Sequence, residues 1–290
     1  MGRCIAWFDH EVRRICQSAI SLRVAGICLA IGMPTVTFVL ASIVIEEAEQ
    51  FAEWFGASMS IVLASMTLAA RDLWDHVRAV EGPLQAGDLP SARRAVAMIV
   101  GRDTVGLSQS EVARATVETV AESTADGIIA PLVYLAIGGA PLALAYKAIN
   151  TLDSMIGHRD KHYADLGWAS ARLDDVANWI PARLAAVLLI GSAGVIARQL
   201  DPIRHGWRVF RRDGGNHPSP NSGRPEAAMA GVLGVRLGGT NFYDGVSHDR
   251  PLLGQEGRKP GPTDIASAAT VMAIASVLGV VVAVGIRWLI

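Results

Sequence analysis

Residues 265–290 read IASAATVMAIASVLGVVVAVGIRWLI, and this run decides the class of fold. Its one charged side chain is Arg287, close to its end. A helix needs about 20 consecutive apolar residues to cross a bilayer core of ~30 Å, and this run is longer than that. The sequence therefore predicts a transmembrane helix here, and an integral membrane protein around it.

Four further apolar runs are long enough to be considered as membrane spans. They cover residues 22–45, 51–70, 128–148 and 180–196. The third run is interrupted by Gly138 and Gly139, with a proline on either side, as in a broken or re-entrant helix whose freed backbone groups line a cavity. We therefore expect an all-α, polytopic integral membrane protein with about four to five membrane helices, one of them broken or re-entrant.

The composition supports this class and excludes others. Hydrophobic residues make up 51% of the 290 positions and charged residues 18%, against roughly 25% charged residues in soluble domains. The formal net charge of -1 lacks the basic field of non-specific nucleic-acid binders, so no nucleic-acid partner is expected. The three cysteines show neither CxxC nor Cys/His spacing, which argues against a disulfide framework and a zinc site.

Two long polar segments, 71–127 and 201–264, separate the apolar runs, and a shorter one covers 151–178. Their helical spacing, without convincing strand alternation, predicts helices. Arginines before the first span and acids after it place the N-terminus in the cytoplasm, and residues 71–127 with it. Residues 201–264 are also cytoplasmic if the third and fourth apolar runs both cross the membrane. If the third run is re-entrant, residues 201–264 lie on the outer side of the membrane. We expect one membrane domain, 1–290, in the cell (cytoplasmic) membrane, with an active site facing the cytoplasm.

Four charged residues recur every four positions in the helical run 110–125 and just beyond it. They are Arg114, Glu118, Glu122 and Asp126. This spacing places one base and three carboxylates on one helix face. The face is either solvated, with one intrahelical salt bridge, or a carboxylate set for Mg²⁺, which prefers oxygen ligands. Asp126 is followed directly by the third apolar run, which favours the functional interpretation. Carboxylates are not expected at a membrane boundary unless they have a role there.

A second polar group lies at the end of the third apolar run, in YKAINTLDSM, residues 146–155. Lys147, Asn150 and Asp153 fall within two helical turns and can converge on one polar ligand. Alternatively, Lys147 snorkels toward lipid headgroups.

Two adjacent acids, Asp174 and Asp175, follow Arg172 just before the fourth apolar run. They are either a helix N-cap with a first-turn acid, which stabilises a helix start, or oxygen ligands of a Mg²⁺–nucleotide site. Adjacency alone does not decide between these interpretations.

The loop HPSPNSGRPE, residues 217–226, precedes a run of small residues and a predicted helix start. Its polar side chains include His217, Ser219, Asn221, Ser222 and Arg224. Such donors bind phosphate or carboxylate oxygens, and helix N-termini attract anions, so the loop is either a plain connection or an anion site. The chain has no Walker motif, GxxxxGK[ST]. The dense donor content favours the anion site.

Five runs of the chain, taken in order, carry a family resemblance. They are IVGRDT at 99–104, VETVAESTADG at 117–127, YKAINTLDSM at 146–155, SARLDD at 170–175 and HPSPNSG at 217–223. Together they resemble the adenosylcobinamide-phosphate synthase family of cobalamin biosynthesis, from about Met1 to the final helix. Ser123 stands where the family commonly has Asn. Residues 1–7 look like the end of the family's opening region, which normally begins with a further apolar helix.

The resemblance implies an ATP-dependent enzyme that joins a propionate carboxylate of adenosylcobyric acid to aminopropanol or its O-phosphate through an amide bond. Activation of the carboxylate, most simply as an acyl phosphate, needs Mg²⁺ and cations around the phosphates. The expected cofactors are therefore ATP and Mg²⁺. The expected partners are the two organic substrates and the lipid bilayer, with the oligomeric state left open.

The candidate residues divide by the chemistry that the resemblance implies. Catalytic roles are expected for Glu122, Asp126, Lys147, Asp153 and His217. Substrate or phosphate binding is expected for Arg102, Asn150, Arg172, Ser219, Asn221, Ser222 and Arg224. Metal binding is expected for Glu118, Glu122, Asp126, Asp174 and Asp175. The alternative function is a membrane transporter or sensor for a corrinoid-like amphiphile, motivated by polar groups at membrane depth.

Overall fold

The computed structural model describes residues 1–158, 160, 162–197 and 200–290. Its helices are α1 (Gly2–Ile15), α2 (Ala19–Phe51), α3 (Glu53–Ser65), α4 (Ala70–Gln85), α5 (Leu89–Val96), α6 (Gln109–Thr124), α7 (Ala130–Ile156), α8 (Trp168–Ala177), α9 (Trp179–Ala197), α10 (Asp201–Asp213), α11 (Gly223–Leu233) and α12 (Pro262–Leu289). A π-helical turn, Ala125–Ile129, joins α6 to α7, and two strands, β1 (Leu237–Tyr243) and β2 (Val246–Leu253), precede α12. The all-α class is confirmed, with one β-hairpin added to the helices.

Four helical stretches of the described residues are long and apolar enough to cross a membrane. They are Ala19–Phe51, Glu53–Gln85, Gln109–Ile156 and Pro262–Leu289, and the bent pair Trp168–Ala177 and Trp179–Val195 counts as a fifth if it forms one span. Each of the five apolar runs found in the sequence lies within or overlaps one of these stretches. A multi-pass membrane protein with four to five candidate spans is therefore confirmed.

α7 is broken where the sequence predicts an interruption. Gly138 and Gly139 have non-helical backbone angles, and Gly139 adopts a φ of +66°, a conformation that glycine reaches without steric cost. Pro141 follows shortly after the break, where a new helical segment begins and proline is well tolerated. The interruption is therefore a property of the local sequence.

The described chain divides into two compact units that interleave in sequence. The first unit comprises residues 1–68, 130–179 and 283–290, and the second unit comprises residues 69–129 and 180–282. In the first unit, α2 packs along α7, with α3 and α8 against them. Ile5, Leu152 and Ile156 form a buried cluster there that joins α1 to α7. The single membrane domain expected from the sequence stays a prediction, since neither unit is one contiguous stretch.

The second unit is built around α6 and α11. Every α6 residue from 112 to 118 is buried, which is unusual for a helix of such polar composition. α11 carries a run of small residues and packs on α10, where a Cβ added to Gly231 would lie 2.7 Å from the Gly206 Cα. Glycine at both positions therefore lets the two helix backbones approach closely.

The β-hairpin departs from the expectation that residues 201–264 are helical. β1 and β2 pair antiparallel, and Asp244 and Gly245 connect them with φ of +50° and +77°. Positive φ at both positions is characteristic of a two-residue type I′ turn, for which Asp-Gly is a favoured sequence. β2 is exposed at almost every position, so its sequence lacks the apolar alternation that predicts a strand.

The hairpin requires glycine at position 238, and substitutions test this. Gly238 has a φ of +80°, and a Cβ there would clash with the Pro251 carbonyl oxygen. We expect Gly238→Ala to lower the stability of the detergent-solubilised protein by about 1–3 kcal/mol, as measured by thermal unfolding. Gly245→Ala has a positive φ but open space and should cost less, and Gly285→Ala, in open helical backbone, should be neutral or stabilising. Equal melting temperatures for the three variants would contradict this account.

Candidate functional site

α6 begins at a reciprocal cap that fixes its position. Ser108 Oγ accepts a hydrogen bond from the Glu111 amide at 3.3 Å, and Glu111 Oε2 accepts from the Ser108 amide at 2.7 Å. This capping box satisfies two backbone donors that a helix start otherwise leaves unpaired. The side chains of Arg114, Glu118 and Glu122 then project from successive turns.

Glu118 is the centre of a buried ion-pair network in the second unit. Only 6% of its surface is exposed. Its Oε2 accepts a hydrogen bond from Arg102 Nη2 at 2.7 Å. Its Oε1 accepts from Arg114 Nη1 at 3.3 Å and from the Gly238 amide at 2.8 Å. Both carboxylate oxygens are therefore engaged by two guanidinium groups and the start of β1.

The two arginines extend this network to Asn241 on β1. Arg114 donates to the Gly238 carbonyl at 2.6 Å and to Asn241 Oδ1 at 2.9 Å. Arg102 donates to the same Asn241 oxygen. The salt bridge expected within α6 is present, but it is buried and fastens the hairpin to α6. The interpretation of this part of the face as solvated is therefore wrong.

Glu122, one turn after Glu118, reaches the loop 217–222. Its Oε1 accepts a hydrogen bond from Ser222 Oγ at 2.9 Å. The loop is folded on itself, because Ser219 Oγ accepts from the amides of residues 221 and 222. Two regions singled out separately in the sequence, the α6 acids and the HPSPNSG loop, therefore meet in the second unit.

His217 holds a buried ring nitrogen in this loop. Its Nδ1 accepts a hydrogen bond from the Ser219 amide at 3.1 Å, so the neutral ring carries its proton on Nε2. Burial lowers the pKa of His217, and the nearby Arg250 guanidinium lowers it further, so the ring is neutral at pH 7. Nε2 is buried and has no hydrogen-bond partner among the described residues. A buried donor without a partner points to an acceptor supplied by a ligand or water.

Glu226 belongs to the same site and was not predicted from the sequence. It lies in the first turn of α11, is 2% exposed, and its Oε1 lacks a hydrogen-bond partner in the described part of the chain. Burial raises the pKa of Glu226 well above its usual range, and the carboxylates of Glu118 and Glu122 raise it further. The available signal was a lone acid in the small, apolar stretch 225–233, but sequence spacing does not reveal burial.

The remaining loop candidates lie around these groups. Asn221 is buried, and its Oδ1 accepts a hydrogen bond from Arg183 Nη1 at 3.4 Å. The Arg224 guanidinium lies 5.7 Å from the centre of the Phe210 ring. Its Nε is buried and finds no hydrogen-bond partner within the described ranges. Arg224 therefore contributes a second unsatisfied donor beside that of His217.

Asp126 departs from the expected four-residue repeat. α6 ends at Thr124, and Asp126 lies in the π-helical turn Ala125–Ile129. A π turn closes hydrogen bonds between residues i and i+5, so it shifts the side-chain register, and such turns are frequent at functional sites. Asp126 is therefore no longer in strict register with Glu118 and Glu122.

The first unit has its own polar cluster on α7 and α8. Tyr134 and Tyr146 stack with ring centres 4.8 Å apart, and the Tyr146 hydroxyl donates to Asn178 Oδ1 at 2.8 Å. Ser170 Oγ, Asp174 Oδ1 and Asn178 Nδ2 are buried without hydrogen-bond partners among the residues described. These atoms mark a second place that suits a polar ligand.

Some of the predicted site residues of the first unit lie close to one another, and two others differ in their exposure. Asn150 and Asp153 on α7 are near neighbours of Asp174 on α8. Asp174 and Asp175 occupy the last turn of α8, so the interpretation that they cap a helix start is wrong. The other two predicted residues are Arg172, exposed on α8, and Lys147, half-buried on α7.

Within the described residues, no group of three or more His, Cys, Asp or Glu side chains is arranged to hold a metal ion. Glu118 is engaged by Arg102 and Arg114, so it is a poorer metal ligand than its spacing suggests. Mg²⁺ keeps several waters and is commonly bound through one or two protein carboxylates. Magnesium binding therefore stays a prediction for the other expected ligands, which are Glu122, Asp126, Asp174 and Asp175.

Comparison with known proteins confirms the family resemblance. The family model described as CobD/Cbib protein matches residues 1–272. The cobalamin biosynthesis protein CobD of Klebsiella pneumoniae subsp. pneumoniae is 44% identical over 293 residues, covering 100% of this chain and 90% of that protein. CobD of Geobacter metallireducens is 48% identical over 254 residues (88% and 78%), and CbiB of Salmonella typhi is 43% identical over 290 residues (99% and 89%). No solved structure matches the chain.

Glu118 and Glu122 share one helix face, and we expect their charges to matter differently for stability. Glu118→Gln removes the charge that balances two buried guanidinium groups, and breaking a buried pair costs about 3–5 kcal/mol. Glu122→Gln keeps an acceptor for the Ser222 hydroxyl and should cost less than about 1 kcal/mol. Thermal unfolding in detergent should separate the two variants. An equal loss of stability would show that the Glu118 network does not hold this unit together.

Proposed function

The chain belongs to the CobD/CbiB protein family, and we propose that it is the membrane-bound enzyme that joins adenosylcobyric acid to an amino alcohol through an ATP-dependent amide bond. Family membership gives the chain a role in cobalamin biosynthesis. The proposed amine donor is aminopropanol or its O-phosphate, and the product is adenosylcobinamide or its phosphate. Support for ligation comes from the polar chemistry of the second unit.

The proposed reaction has two chemical steps. In the first, a propionate oxygen attacks the γ-phosphorus of ATP, which gives an acyl phosphate and ADP. In the second, the amine nitrogen attacks the acyl carbon, the C–O bond to phosphate breaks, and inorganic phosphate and a proton leave. Both steps place negative charge on oxygens, so the site must supply hydrogen-bond donors and cations.

The observation that supports this assignment best is a set of unsatisfied donors beside the Glu122–Ser222 hydrogen bond. His217 Nε2 and Arg224 Nε are buried donors that no described residue satisfies. An anionic oxygen, from a phosphate or from the reacting propionate, satisfies such donors better than a neutral acceptor does. We therefore assign anion binding to the loop 217–224.

Carboxylates of the second unit suit the two remaining requirements of the reaction, metal binding and proton transfer. Glu122 and Asp126 have the hard oxygen donors that Mg²⁺ prefers, and the ion supplies charge neutralisation to phosphate when it is bound. Glu226 has a pKa raised by burial and by its acidic neighbours, so it is suited to taking up the proton that the attacking amine releases.

The polar cluster of the first unit suits the amine donor. An amino alcohol carries an ammonium group at neutral pH, and this group needs hydrogen-bond acceptors. Asp153 and Asp174, with the Asn150 amide, offer them. Lys147 and Arg172 suit the phosphate of an O-phosphorylated donor.

A reconstituted assay tests the proposed function as a whole. Purified protein receives adenosylcobyric acid, ATP with Mg²⁺, and either aminopropanol or its O-phosphate, and mass spectrometry detects the amide. We expect amide and ADP only when both organic substrates are present. Corrinoid uptake into proteoliposomes without amide formation would instead establish the transporter alternative.

The proposed role of the loop 217–224 predicts how substitutions in it change the enzyme kinetics. Ser222→Ala and Asn221→Ala each remove a hydrogen bond that positions the loop against a charged side chain, Glu122 or Arg183. Such a bond is worth roughly 1.5–3 kcal/mol, so the loop's anion-binding donors should lose their alignment. We expect about a tenfold to hundredfold loss in kcat/KM. A raised KM indicates an anion bound in the ground state, and a reduced kcat at unchanged KM indicates a contact formed in the transition state.

The matched control for these variants is Ser276→Ala, whose hydroxyl donates to the Met272 carbonyl of its own helix. This variant should retain wild-type kinetics. If both loop variants also behave as wild type toward every substrate, the loop does not bind the reacting anion.

Cysteine labelling tests the orientation of the second unit. ATP is cytoplasmic, so we propose that the polar parts of this unit face the cytoplasm. Arg94 and Ser247 are exposed in it, and each is replaced singly by cysteine after the three native cysteines are changed to serine. In spheroplasts both positions should resist a membrane-impermeant maleimide and react after lysis. Labelling of position 247 from outside would contradict the cytoplasmic orientation.

A further inference from the structure

α10 carries an exposed basic face in the second unit. Arg204, Arg208 and Arg211 are exposed and recur at spacings of four and three residues, so they lie on one side of the helix. Among the described residues, Arg208 and Arg211 take part in no ion pair, and Arg204 has a long 3.9 Å contact with exposed Asp201. Three positive charges on this face are therefore open to an anionic partner.

α10 is held against the end of a candidate membrane helix. Ile203 Cδ1 lies 2.6 Å from the position of a Cβ added to Gly194, and Ile190 Cγ1 lies 3.3 Å from that of a Cβ added to Gly206. The order of these contacts, 194 with 203 and 190 with 206, shows that α10 folds back along the last turns of α9. If α9 crosses the membrane as its length and composition indicate, the basic face, which follows the last turns of α9, is near the level of the lipid headgroups.

An apolar cavity of about 310 Å³ opens beside the start of α10. Its lining includes Ala193 of α9, Pro202 of α10, Leu233 of α11 and Val271 of α12. Two of its walls, α9 and α12, belong to candidate membrane spans, which would place the cavity beside the lipid chains. The cavity volume lies within the range of small-molecule pockets, and the lining suits a hydrocarbon chain.

We propose that the second unit binds one anionic phospholipid, with its headgroup on the basic face of α10 and an acyl chain in the cavity beside Pro202. Guanidinium groups match phosphate oxygens in charge and geometry, and basic residues near a membrane attract anionic lipids. Trp207 is exposed on the same side of α10 and is of the residue type enriched at headgroup level. The site uses no residue assigned to ligation, so the two proposals can fail separately.

Native mass spectrometry of the full-length protein in detergent tests the headgroup contact. The probes are phosphatidylglycerol and phosphatidylcholine of equal chain length. We expect one bound phosphatidylglycerol, preferred over phosphatidylcholine. The triple variant Arg204→Gln, Arg208→Gln, Arg211→Gln should weaken phosphatidylglycerol binding by about a hundredfold. The control triple Arg71→Gln, Arg78→Gln, Arg94→Gln removes the same charge from exposed positions on α4 and α5 and should bind as wild type.

The acyl chain is tested separately. Thr270 lines the cavity from an exposed position, so Thr270→Phe should narrow the cavity without disturbing the core. Binding of long-chain phosphatidylglycerol should fall in this variant, and binding of the dihexanoyl lipid should not. Equal binding of the two headgroup classes, unchanged binding in the α10 triple variant, or full competition by inorganic phosphate would overturn the proposal.

Discussion

Two arginines, Arg102 and Arg114, share the carboxylate of Glu118 in the interior of the second unit. Burying three charges is costly, and the cost is offset because each oxygen of the carboxylate accepts hydrogen bonds in good geometry. The same bonds fasten β1 to α6, although Glu118 and Gly238 are 120 residues apart in sequence. α6, once held in this way, positions Glu122 one turn further on, and Glu122 in turn holds the loop 217–222.

This network also sets the protonation of its neighbours. Glu118, Glu122 and Glu226 lie near one another, and three close carboxylates, two of them buried, are not all ionised at low cost. Glu118 forms two ion pairs, whereas Glu226 forms none with the residues described. Burial and repulsion from the neighbouring carboxylates therefore raise the pKa of Glu226. His217 stays neutral because it is buried beside Arg250. The Glu226 side chain, with its raised pKa, and the neutral imidazole of His217 therefore lie in and next to the loop 217–224, to which we assign anion binding.

Local features were predictable from the sequence, and pairings between distant segments were not. The candidate spans follow from length and apolarity in a short window, and the break in α7 follows from Gly138 and Gly139. Glu118 and Glu122 could not be told apart, because they share one spacing but acquire their partners from remote parts of the chain. Glu226 was missed because its burial is a tertiary property. The hairpin was missed because β2 lies exposed and carries no apolar alternation, although its Asp-Gly turn was a usable signal.

α10 and the loop 217–224 are close in sequence and joined through α11, which bears on how a lipid at the proposed site would act on the loop. α10 ends at Asp213, whose carboxylate accepts hydrogen bonds from Arg212 and from the Gly254 amide. The loop 217–222 begins four residues later, and α11 starts directly after it and packs back on α10. A ligand shifts an equilibrium only where two arrangements differ in affinity for it, and the close glycine contact between α10 and α11 leaves little room for a second packing. Lipid bound at the proposed site on α10 would therefore stabilise the single arrangement in which the loop meets Glu122, and would not switch the loop to another arrangement.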